Sequence, residues 1–516
     1  MHTSPVWVGT TVFLAIAGSA LAGALCAQSS SDFKVGLQSD GSVVVPTNQV
    51  LRPAGKQITF PGRPVDLVLI ENGRTLVVKN LRDLVFIDVA TGTIKQTLEL
   101  NRGLGPEPVY GIKALTTRPI GPDGKPGRPY ADGFSAVGLV ADGNGIYVTD
   151  CQSRLWTAQR RSDGPFEWKG SIELTTPKIG GFANPAGEAF LATDKLWVAT
   201  TRGNNVQLID LKRRQVEQVV PVGVAPYMIV VARADRCYVS NWGGDPPREG
   251  QSQALSSGTP VRTDERTGIA DSGTISVLAC ENGAWKQVKT IPVGLHPSGM
   301  VLGKTSRLLY VANANSDTVS VIDTQTDQVV ETSACRPEAR LPFGSGANAL
   351  ALSPDGRRLY VANGTNNCIA VLRLGARAVE NPADETPAQS ALIGLIPTAW
   401  YPGALSLSAD GRKIFVANVK GLGALADLRP AAEGKNTHDF LGSVSMIDVP
   451  DEARLAKHTA EVNANNRLAL SLAGLEKPRP DARPVPVPDR HGEASVFKHA
   501  IYVIKENRSY DQVLGT

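Results

Sequence analysis

The segment Ser353–Leu372, "SPDGRRLYVANGTNNCIAVL", decides the fold because similar segments recur along the chain. Two strong copies are "SADGRKIFVANVKG" at Ser408–Gly421 and "KTSRLLYVANANSDTVSVIDTQTDQVVET" at Lys304–Thr332. Weaker copies begin at residues 73, 144, 194 and 235, which makes seven in total. A unit that repeats every few dozen residues indicates a repeat architecture.

Each copy contains the same order of structural signals. An alternating apolar stretch such as Ala349–Leu352 precedes a Pro-Asp-Gly type turn, and a β-branched or aromatic strand ending in Asn follows the turn. Alternation with a period of two, broken by Gly, Asn and Asp, predicts antiparallel hairpins. Seven units of four short strands predict an all-β fold, a seven-bladed β-propeller of four-stranded antiparallel blades. A helical solenoid would need a period of 3.6 residues, which these repeats lack.

Three strand motifs resemble the YVTN-type β-propeller repeat. They are Tyr310–Asn313, Tyr360–Asn363 and, with Phe in place of Tyr, Phe415–Asn418. The resemblance extends over about residues 60 to 450 and implies the fold. It leaves the function open, because propellers host many unrelated activities.

The ends of the repeat region and its insertions predict how the ring closes and where its long loops lie. The seventh unit lacks a clear fourth strand, and "KQITF" at residues 56–60 resembles one, so we expect it to complete the last blade of a propeller spanning 56–450. This pairing would remove exposed sheet edges. Insertions at about 101–134, 244–273 and 419–441 are predicted on one face and about 375–391 on the opposite face. Such loops either carry function or are tolerated decoration.

Composition and charge restrict the partners and the compartment. The chain has 516 residues, a net charge of +4 and no basic block, so nucleic acid is not an expected partner. Residues 1–27 are typical of a secretory signal peptide, with an uncleaved anchor as the alternative, and residues 28–55 form an N-terminal extension. No other segment is long and apolar enough to span a bilayer. We therefore expect a periplasmic or extracellular (secreted) protein.

Removal of the signal peptide would leave five cysteines, an odd number for disulfide pairing. Cys237 and Cys280 fall on predicted neighbouring strands, one residue out of register and facing opposite sides of the sheet. Isolated buried thiols are therefore favoured over disulfides. The five are Cys151, Cys237, Cys280, Cys335 and Cys368.

The polar candidates inside the repeats favour structural roles. His296 lies in "GLHPSG", a predicted turn between blades, and His438 beside Asp439 in an insertion is a weaker candidate for a site. An Asn that recurs in every blade is expected to act locally, because Asn tolerates left-handed turns and caps the backbone. The recurring residues are Asn241, Asn313, Asn363 and Asn418.

The pattern changes after the propeller. Residues 451–476 are compatible with a helical connector, and Asp451 and Glu452 favour a helix start. Residues 477–497 alternate prolines with polar residues, which is typical of a semi-rigid linker. Residues 498–516 begin with an apolar strand, Ala500–Ile504, that delivers Glu506 and Asn507 to its carboxyl end.

The segment Glu506–Asp511, "ENRSYD", resembles the first metal-binding motif of the metal-dependent phosphoesterases of the alkaline phosphatase superfamily, which include phospholipase C-like and acid phosphatase enzymes. By this resemblance Glu506 and Asn507 would be metal ligands, and oxygen donors suit a divalent ion. The family places its nucleophile further downstream than Ser509, so we assign no catalytic residue to this chain. The alternative is a C-terminal tail whose likeness to the motif arises by chance.

The leading hypothesis is the exported β-propeller part of a metal-dependent phosphoesterase, truncated after its first motif and inactive alone. A divalent metal ion is expected in the full-length relative and none in this chain alone. The propeller would hold a phosphate ester substrate or a surface partner. Alternatives are a stand-alone secreted or periplasmic propeller binding module for protein, glycan or surface polymer, and a propeller enzyme with its own site near the channel.

Overall fold

The computed structural model describes residues 34–100, 134, 137–143, 145–162, 164–256, 258–425 and 440–501. Its secondary structure is almost entirely β. The N-terminal extension forms a small three-stranded sheet that packs against Trp400 and Leu422. The strands up to the start of the propeller are β1 (Gly36–Leu37), β2 (Val43–Val44), β3 (Val50–Leu51) and β4 (Lys56–Pro61).

Seven four-stranded antiparallel sheets lie in the described residues, and we number them blades 1 to 7. Blade 1 consists of β5 (Asp66–Ile70), β6 (Thr75–Lys79), β7 (Asp83–Asp88) and β8 (Ile94–Glu99). Blade 2 consists of β9 (Leu139–Ala141), β10 (Gly145–Thr149), β11 (Arg154–Arg160) and β12 (Phe166–Glu173). Blade 3 consists of β13 (Pro185–Ala192), β14 (Lys195–Thr200), β15 (Asn205–Asp210) and β16 (Gln215–Pro221).

The remaining blades follow the same order, except that blade 4 contains an inserted hairpin. Blade 4 consists of β17 (Val224–Arg233), β18 (Arg236–Gly244), β21 (Thr274–Glu281) and β22 (Ala284–Pro292), with β19 (Gln253–Ser256) and β20 (Thr259–Arg262) in the hairpin. Blade 5 consists of β23 (Pro297–Leu302), β24 (Leu308–Asn313), β25 (Thr318–Asp323) and β26 (Gln328–Ala334). Blade 6 consists of β27 (Ala347–Leu352), β28 (Arg358–Asn363), β29 (Cys368–Arg373) and β30 (Ala391–Pro397). Blade 7 consists of β31 (Trp400–Leu407), β32 (Lys413–Gly421), β33 (Leu441–Asp448) and β4.

The first strands of the blades form a closed ring around a central channel. Each contacts the first strand of the next blade, from β5 through β9, β13, β17, β23 and β27 to β31, and β31 contacts β5 again. This arrangement confirms the predicted all-β propeller of four-stranded antiparallel blades.

The ring is closed by a strand from the N-terminal side of the propeller. β4 pairs antiparallel with β33, with Ile58 opposite Val444, and Ser445 donates a hydrogen bond to Gln57 at 2.7 Å. The predicted role of residues 56–60 as the missing fourth strand is confirmed. Blade 7 therefore joins two segments that lie at opposite ends of the repeat region.

Apolar residues on both faces of each strand build the core between blades. In β24, Tyr310 and Ala312 pack against blade 6, whereas Leu309 and Val311 pack against blade 4. Burying one such aliphatic side chain contributes roughly 1.5–3 kcal/mol. The repeated strand motif is therefore a continuous apolar run, because neighbouring blades cover both faces of the strand.

The two insertions that the structure describes join the strands that the sequence predicts. The 244–273 insertion joins the second and third strands of blade 4, and 375–391 joins the third and fourth strands of blade 6. We call the face that carries the connections between blades and between second and third strands the insertion face. Most of the other two insertions, 101–133 and 426–439, lies outside the described residues.

Two helices follow β33, in the segment where the sequence favours a helical connector. They are α1 (Glu452–Asn465) and α2 (Leu468–Gly474). The Asp451 side chain caps α1 by accepting a hydrogen bond from the Arg454 amide at 2.8 Å. Leu455 and Val462 are buried where α1 packs on β30. Neither of the described helices has the length and apolar character needed to cross a membrane.

The cysteine register differs from the sequence prediction. β18 pairs with β21 so that Cys237 is opposite Leu278. Cys280 is therefore two positions away from the partner of Cys237 and lies on the same face of the sheet, in the same apolar cluster. The prediction of opposite faces was wrong, because a long insertion separates the two strands and hides their register. The expected free thiols are found at Cys237, Cys280, Cys335 and Cys368.

Candidate functional site

The recurring asparagines are structural, by a mechanism that differs from the predicted one. Asn313 and Asn363 end their strands, whereas Asn241 and Asn418 lie three residues before the ends of theirs. None of the four has a left-handed backbone, and each is fully buried. Asn241 donates to Ser276 at 2.9 Å and Asn418 donates to Ser445 at 2.9 Å, so each amide links its strand to the next strand of the blade. Asn241 also packs beneath Gly223 in the preceding connection, where any side chain would overlap it.

A charged cluster breaks the apolar pattern beside the channel in blades 1 to 3. Asp66 and Lys79 are cross-strand partners in blade 1, at the end of β5 and β6 nearest the insertion face. The Asp66 carboxylate accepts a hydrogen bond from the Gly138 amide at 2.7 Å, and the Lys79 ammonium donates to the Gly138 carbonyl at 3.2 Å. Asp66 and Lys79 thus bind the backbone N–H and the backbone C=O of the same residue, Gly138, just before β9.

The hydrogen bonds that Lys79 donates go to uncharged oxygen atoms. Besides the Gly138 carbonyl, its Nζ donates to Thr149 Oγ1 at 3.0 Å and to the Val137 carbonyl at 3.4 Å. The side chain is completely buried. Burial lowers the pKa of Lys79 to about 8, although Asp66 and Glu188 act in the opposite direction.

Glu188 of β13 is the unpartnered member of the cluster. It is only 6% exposed, and neither carboxylate oxygen has a hydrogen-bond partner among the described residues. Burial raises the pKa of Glu188 well above its usual value of 4.5, and the Asp66 charge raises it further, while Lys79 opposes the shift. Burying a carboxylate without donors is costly, so a group in this state calls for a functional explanation.

The neighbouring Asp150 is a contrast, because its carboxylate is satisfied locally. It accepts hydrogen bonds from the amides of Gln152 and Arg154 at 2.8 and 3.0 Å and from Trp156 Nε1 at 3.3 Å. Burial raises the pKa of Asp150, but these donors act in the opposite direction. Asp66 is also satisfied, by the amides of Gly138 and Leu67 at 2.7 and 2.9 Å, so Glu188 is the carboxylate of this cluster that lacks a hydrogen-bond donor among the described residues.

Aromatic residues complete this end of the channel. Tyr227 of β17 stacks on Trp242 with ring centroids 4.2 Å apart, and Trp242 stacks on His296 at 4.4 Å. Burial is the main cause that raises the pKa of Tyr227, with smaller contributions from Asp66 and Tyr401. Asp66 of blade 1 raises the pKa of Tyr227 of blade 4 although these two blades are not neighbours in the ring, so the two side chains approach each other across the channel.

His296 has the structural role that the sequence favours. It lies in the connection between blades 4 and 5 with φ of 54°, and its carbonyl accepts a hydrogen bond from the Ala314 amide at 3.0 Å. Burial lowers the pKa of His296 to about 4, so the ring is neutral at physiological pH and stacks as an aromatic group.

A cleft on the face opposite the insertion face is less suited to a ligand. It encloses about 780 Å³ between blades 1 and 2. Its charged groups are already engaged, since Arg160 pairs with Glu71 and lies 5.0 Å over the Phe166 ring. Its polar groups do not include a buried carboxylate without donors, in contrast to the channel.

The predicted metal ligands Glu506 and Asn507, and the weaker candidate His438, lie outside the described residues. Within the described ranges, no group of three or more His, Cys, Asp or Glu side chains is arranged to hold a metal ion. The residues that the structure brings together at the channel are ones that sequence reasoning did not select.

A usable signal was nonetheless present in the repeats. Lys79 occupies the place of Ala312, Ala362 and Ala417, and Glu188 occupies a place that is apolar in later blades. A charged residue at a repeat position that is otherwise small or apolar could have marked the site.

No protein-family model matches the chain, and no curated protein matches it. Solved structures do resemble it in fold. The structure of U3-55K covers 76% of this chain and 98% of its own, with a TM-score of 0.50 and 10% identity. The RRP9 WD40 repeats cover 77% of this chain and 100% of their own, with a TM-score of 0.50 and 10% identity. A chain of the mitotic checkpoint complex covers 77% and 96%, with a TM-score of 0.50 and 11% identity. At such low identity these similarities show a propeller fold and nothing finer.

Proposed function

We propose that this chain is the propeller part of an exported, metal-dependent phosphoesterase, and that its insertion face serves as a platform for a substrate or a partner. The phosphoesterase assignment depends on the resemblance of Glu506–Asp511 to the family motif. The platform assignment depends on the position of the channel cluster and the aromatic stack, which open on the same face.

The route of the chain after the propeller is the observation that carries this proposal. Asn466, just after α1, donates to the Asn366 carbonyl at 2.8 Å, and Gln49 donates to Asn466 at 2.7 Å. Asn366 lies in the turn between the second and third strands of blade 6, which belongs to the insertion face. The connector therefore delivers the following residues to the face on which the channel cluster opens.

The linker also presents apolar side chains that the propeller does not cover. Val487, Phe497 and Ile501 are 80%, 64% and 91% exposed. Large exposed apolar side chains within one short segment are typical of a surface that another domain or protein covers.

Glu506 and Asn507 would contribute two oxygen donors to a divalent metal ion. Hard oxygen donors suit an ion that polarises a phosphoryl oxygen. Two donors are too few to hold such an ion, so further ligands and the nucleophile are expected from downstream sequence. When bound, the ion would supply Lewis-acid activation of a phosphate ester.

Export to the periplasm or the extracellular medium is proposed from residues 1–27. Cys237, Cys280, Cys335 and Cys368 are free thiols, so the blades that carry them do not depend on a disulfide between these residues. The proposed partners are a phosphate ester or a surface molecule, with no nucleic acid and no membrane span apart from the signal segment.

The test has two steps. The coding sequence after the Thr516 codon is read in all frames, and the longest product is then assayed with p-nitrophenyl phosphate and added divalent ions. We expect metal-dependent hydrolysis that is lost in Glu506→Ala and Asn507→Ala, and retained in Glu281→Gln on an outer blade surface. The absence of any downstream coding sequence for a nucleophile would refute the phosphoesterase proposal and favour the stand-alone binding module.

A further inference from the structure

The geometry points to a ligand site at the insertion-face end of the central channel, where Asp66 and Glu188 together bind a single organic cation that carries N–H donors. The ligand class is a primary ammonium group. This inference does not depend on the phosphoesterase proposal, because it uses only propeller residues.

The first argument is a deficit of hydrogen-bond donors. Glu188 is more than nine-tenths buried, and both its oxygens lack a partner among the described residues. The Val140 amide is the nearest backbone donor and opposes the rise in the pKa of Glu188, but it makes no hydrogen bond of normal distance and angle to either oxygen. Lys79, the nearby cation, uses its three N–H groups on Thr149 and two backbone carbonyls. A ligand that brings donors would complete this arrangement.

The second argument is a deficit of positive charge. Asp66, Glu188 and Asp150 all act on the ammonium of Lys79, but Asp150 has a second cation in Arg154 at 3.9 Å, so Asp66 and Glu188 depend on the single ammonium. When both carboxylates are ionised, one negative charge remains without a counterpart. A bound monovalent cation restores balance, and a charge-assisted hydrogen bond is roughly twice as strong as a neutral one.

The third argument concerns access and shape. Asp66 and Tyr227 are half-buried, whereas both oxygens of Glu188 are buried, so Asp66 is the carboxylate that a ligand meets first. Asp66 and Tyr401 both raise the pKa of Tyr227, so these three side chains approach one another at this end of the channel. Tyr rings and carboxylates together favour a cation with a short apolar stem, because the ring face attracts positive charge.

A neutral ligand or a metal ion fits less well. A neutral ligand would leave the excess carboxylate charge uncompensated. A metal ion would need more ligating groups than the two carboxylates offer, and the described residues contain no larger cluster of metal-binding side chains. An ammonium group satisfies both deficits with one charge and three donors.

The experiment is isothermal titration of the whole protein at pH 8 and low salt with butylammonium, tetramethylammonium and N-acetyl-lysine methylamide. We expect saturable binding of one butylammonium per chain, and affinity reduced at least about tenfold for tetramethylammonium, which has no N–H donor. Glu188→Gln and Asp66→Asn are each expected to lower the affinity for butylammonium by about tenfold or more. Glu281→Gln, an exposed matched control, is expected to bind like the natural protein.

Three results would overturn the inference. They are the absence of saturable binding at tens of millimolar butylammonium, unchanged affinity in Glu188→Gln, or equal affinity for tetramethylammonium. Thermal melts of each variant establish that it is folded, and Glu188→Gln keeps the shape of the site. Tighter binding of the lysine derivative than of butylammonium would identify a protein side chain as the source of the cation. The reverse order would identify a free amine, and both orders support the ammonium site.

Discussion

Blades 6 and 7 carry the cross-strand pairs Ala349–Ala362 and Ala404–Ala417 beside the channel, whereas blade 1 carries Asp66–Lys79 at the corresponding place. The next position differs in the same way, because Glu188 of blade 3 stands where blades 5 to 7 have Met300, Leu350 and Leu405. The same strand pattern therefore supports two chemistries. The apolar residues of blades 5 to 7 show which side chains stability alone requires at these positions. The charged residues of blades 1 and 3 depart from that pattern.

The largest expected effect comes from Gly138, the residue that Asp66 and Lys79 hold. Gly138 has φ of +123°, and a methyl group there would overlap the Ala186 carbonyl and the Thr149 hydroxyl. Gly138→Ala should lower the free energy of unfolding by more than about 4 kcal/mol or prevent folding. Gly73→Ala, at φ of +81° in open space, should cost only about 1 kcal/mol. Urea denaturation measures both, and equal costs would show that blade 2 does not depend on this close packing.

The charged pair can be converted into the alanine pair of blades 6 and 7. Asp66→Ala and Lys79→Ala should each cost about 2–4 kcal/mol, since each leaves buried polar groups without partners. The double variant should cost less than the sum, with a coupling of about 1–3 kcal/mol. In the exposed pair Lys286–Glu281 the coupling should be below about 1 kcal/mol. Strictly additive effects in blade 1 would contradict the idea that the pair acts as one unit.

Glu188 should reduce stability, in contrast to the apolar residues of the later blades. Its pKa is raised in the folded state, so the folded protein binds more protons than the unfolded chain above pH 4.5, and stability falls as pH rises through this window. Glu188→Gln and Glu188→Leu should therefore stabilise the protein by about 1–3 kcal/mol at pH 8. The difference in stability between these variants and the natural protein should disappear near pH 4. Thermal melts across this range test the sign, and a destabilised Glu188→Gln at pH 8 would show that the carboxylate has a partner.

The smallest effect is expected at Tyr227. Tyr227→Phe keeps the stacking on Trp242 and removes only the hydroxyl, so the free energy of unfolding should change by less than about 0.5 kcal/mol. The affinity for butylammonium should fall by a few fold, because Tyr227 lies close enough to Asp66 for its pKa to be raised by that carboxylate. Calorimetric titration beside a melt separates the two effects. A stability loss without an affinity loss would place the hydroxyl in the packing rather than in the site.

The sequence predicts the fold well because most blades are specified by residues that lie close together in the chain. Alternation around Tyr310, Tyr360 and Phe415 specifies strands, and "KQITF" at residues 56–60 marks the closing strand. The register of Cys237 against Cys280 could not be predicted, since it depends on pairing across an insertion. The channel site could not be predicted by local reasoning either, because Asp66, Glu188 and Tyr227 belong to different blades and meet only when the ring closes.

The closing strand has a consequence for the order of events during synthesis. β4 emerges before any blade, yet its partner β33 emerges after six blades have been made. Until then β4 and the growing end of the ring both present unpaired edges, which are prone to wrong pairing. Such long-range pairing is also slow, because distant segments must find each other. Blade 7 therefore makes closure of the ring depend on the progress of synthesis, because β4 has no partner until β33 has been made.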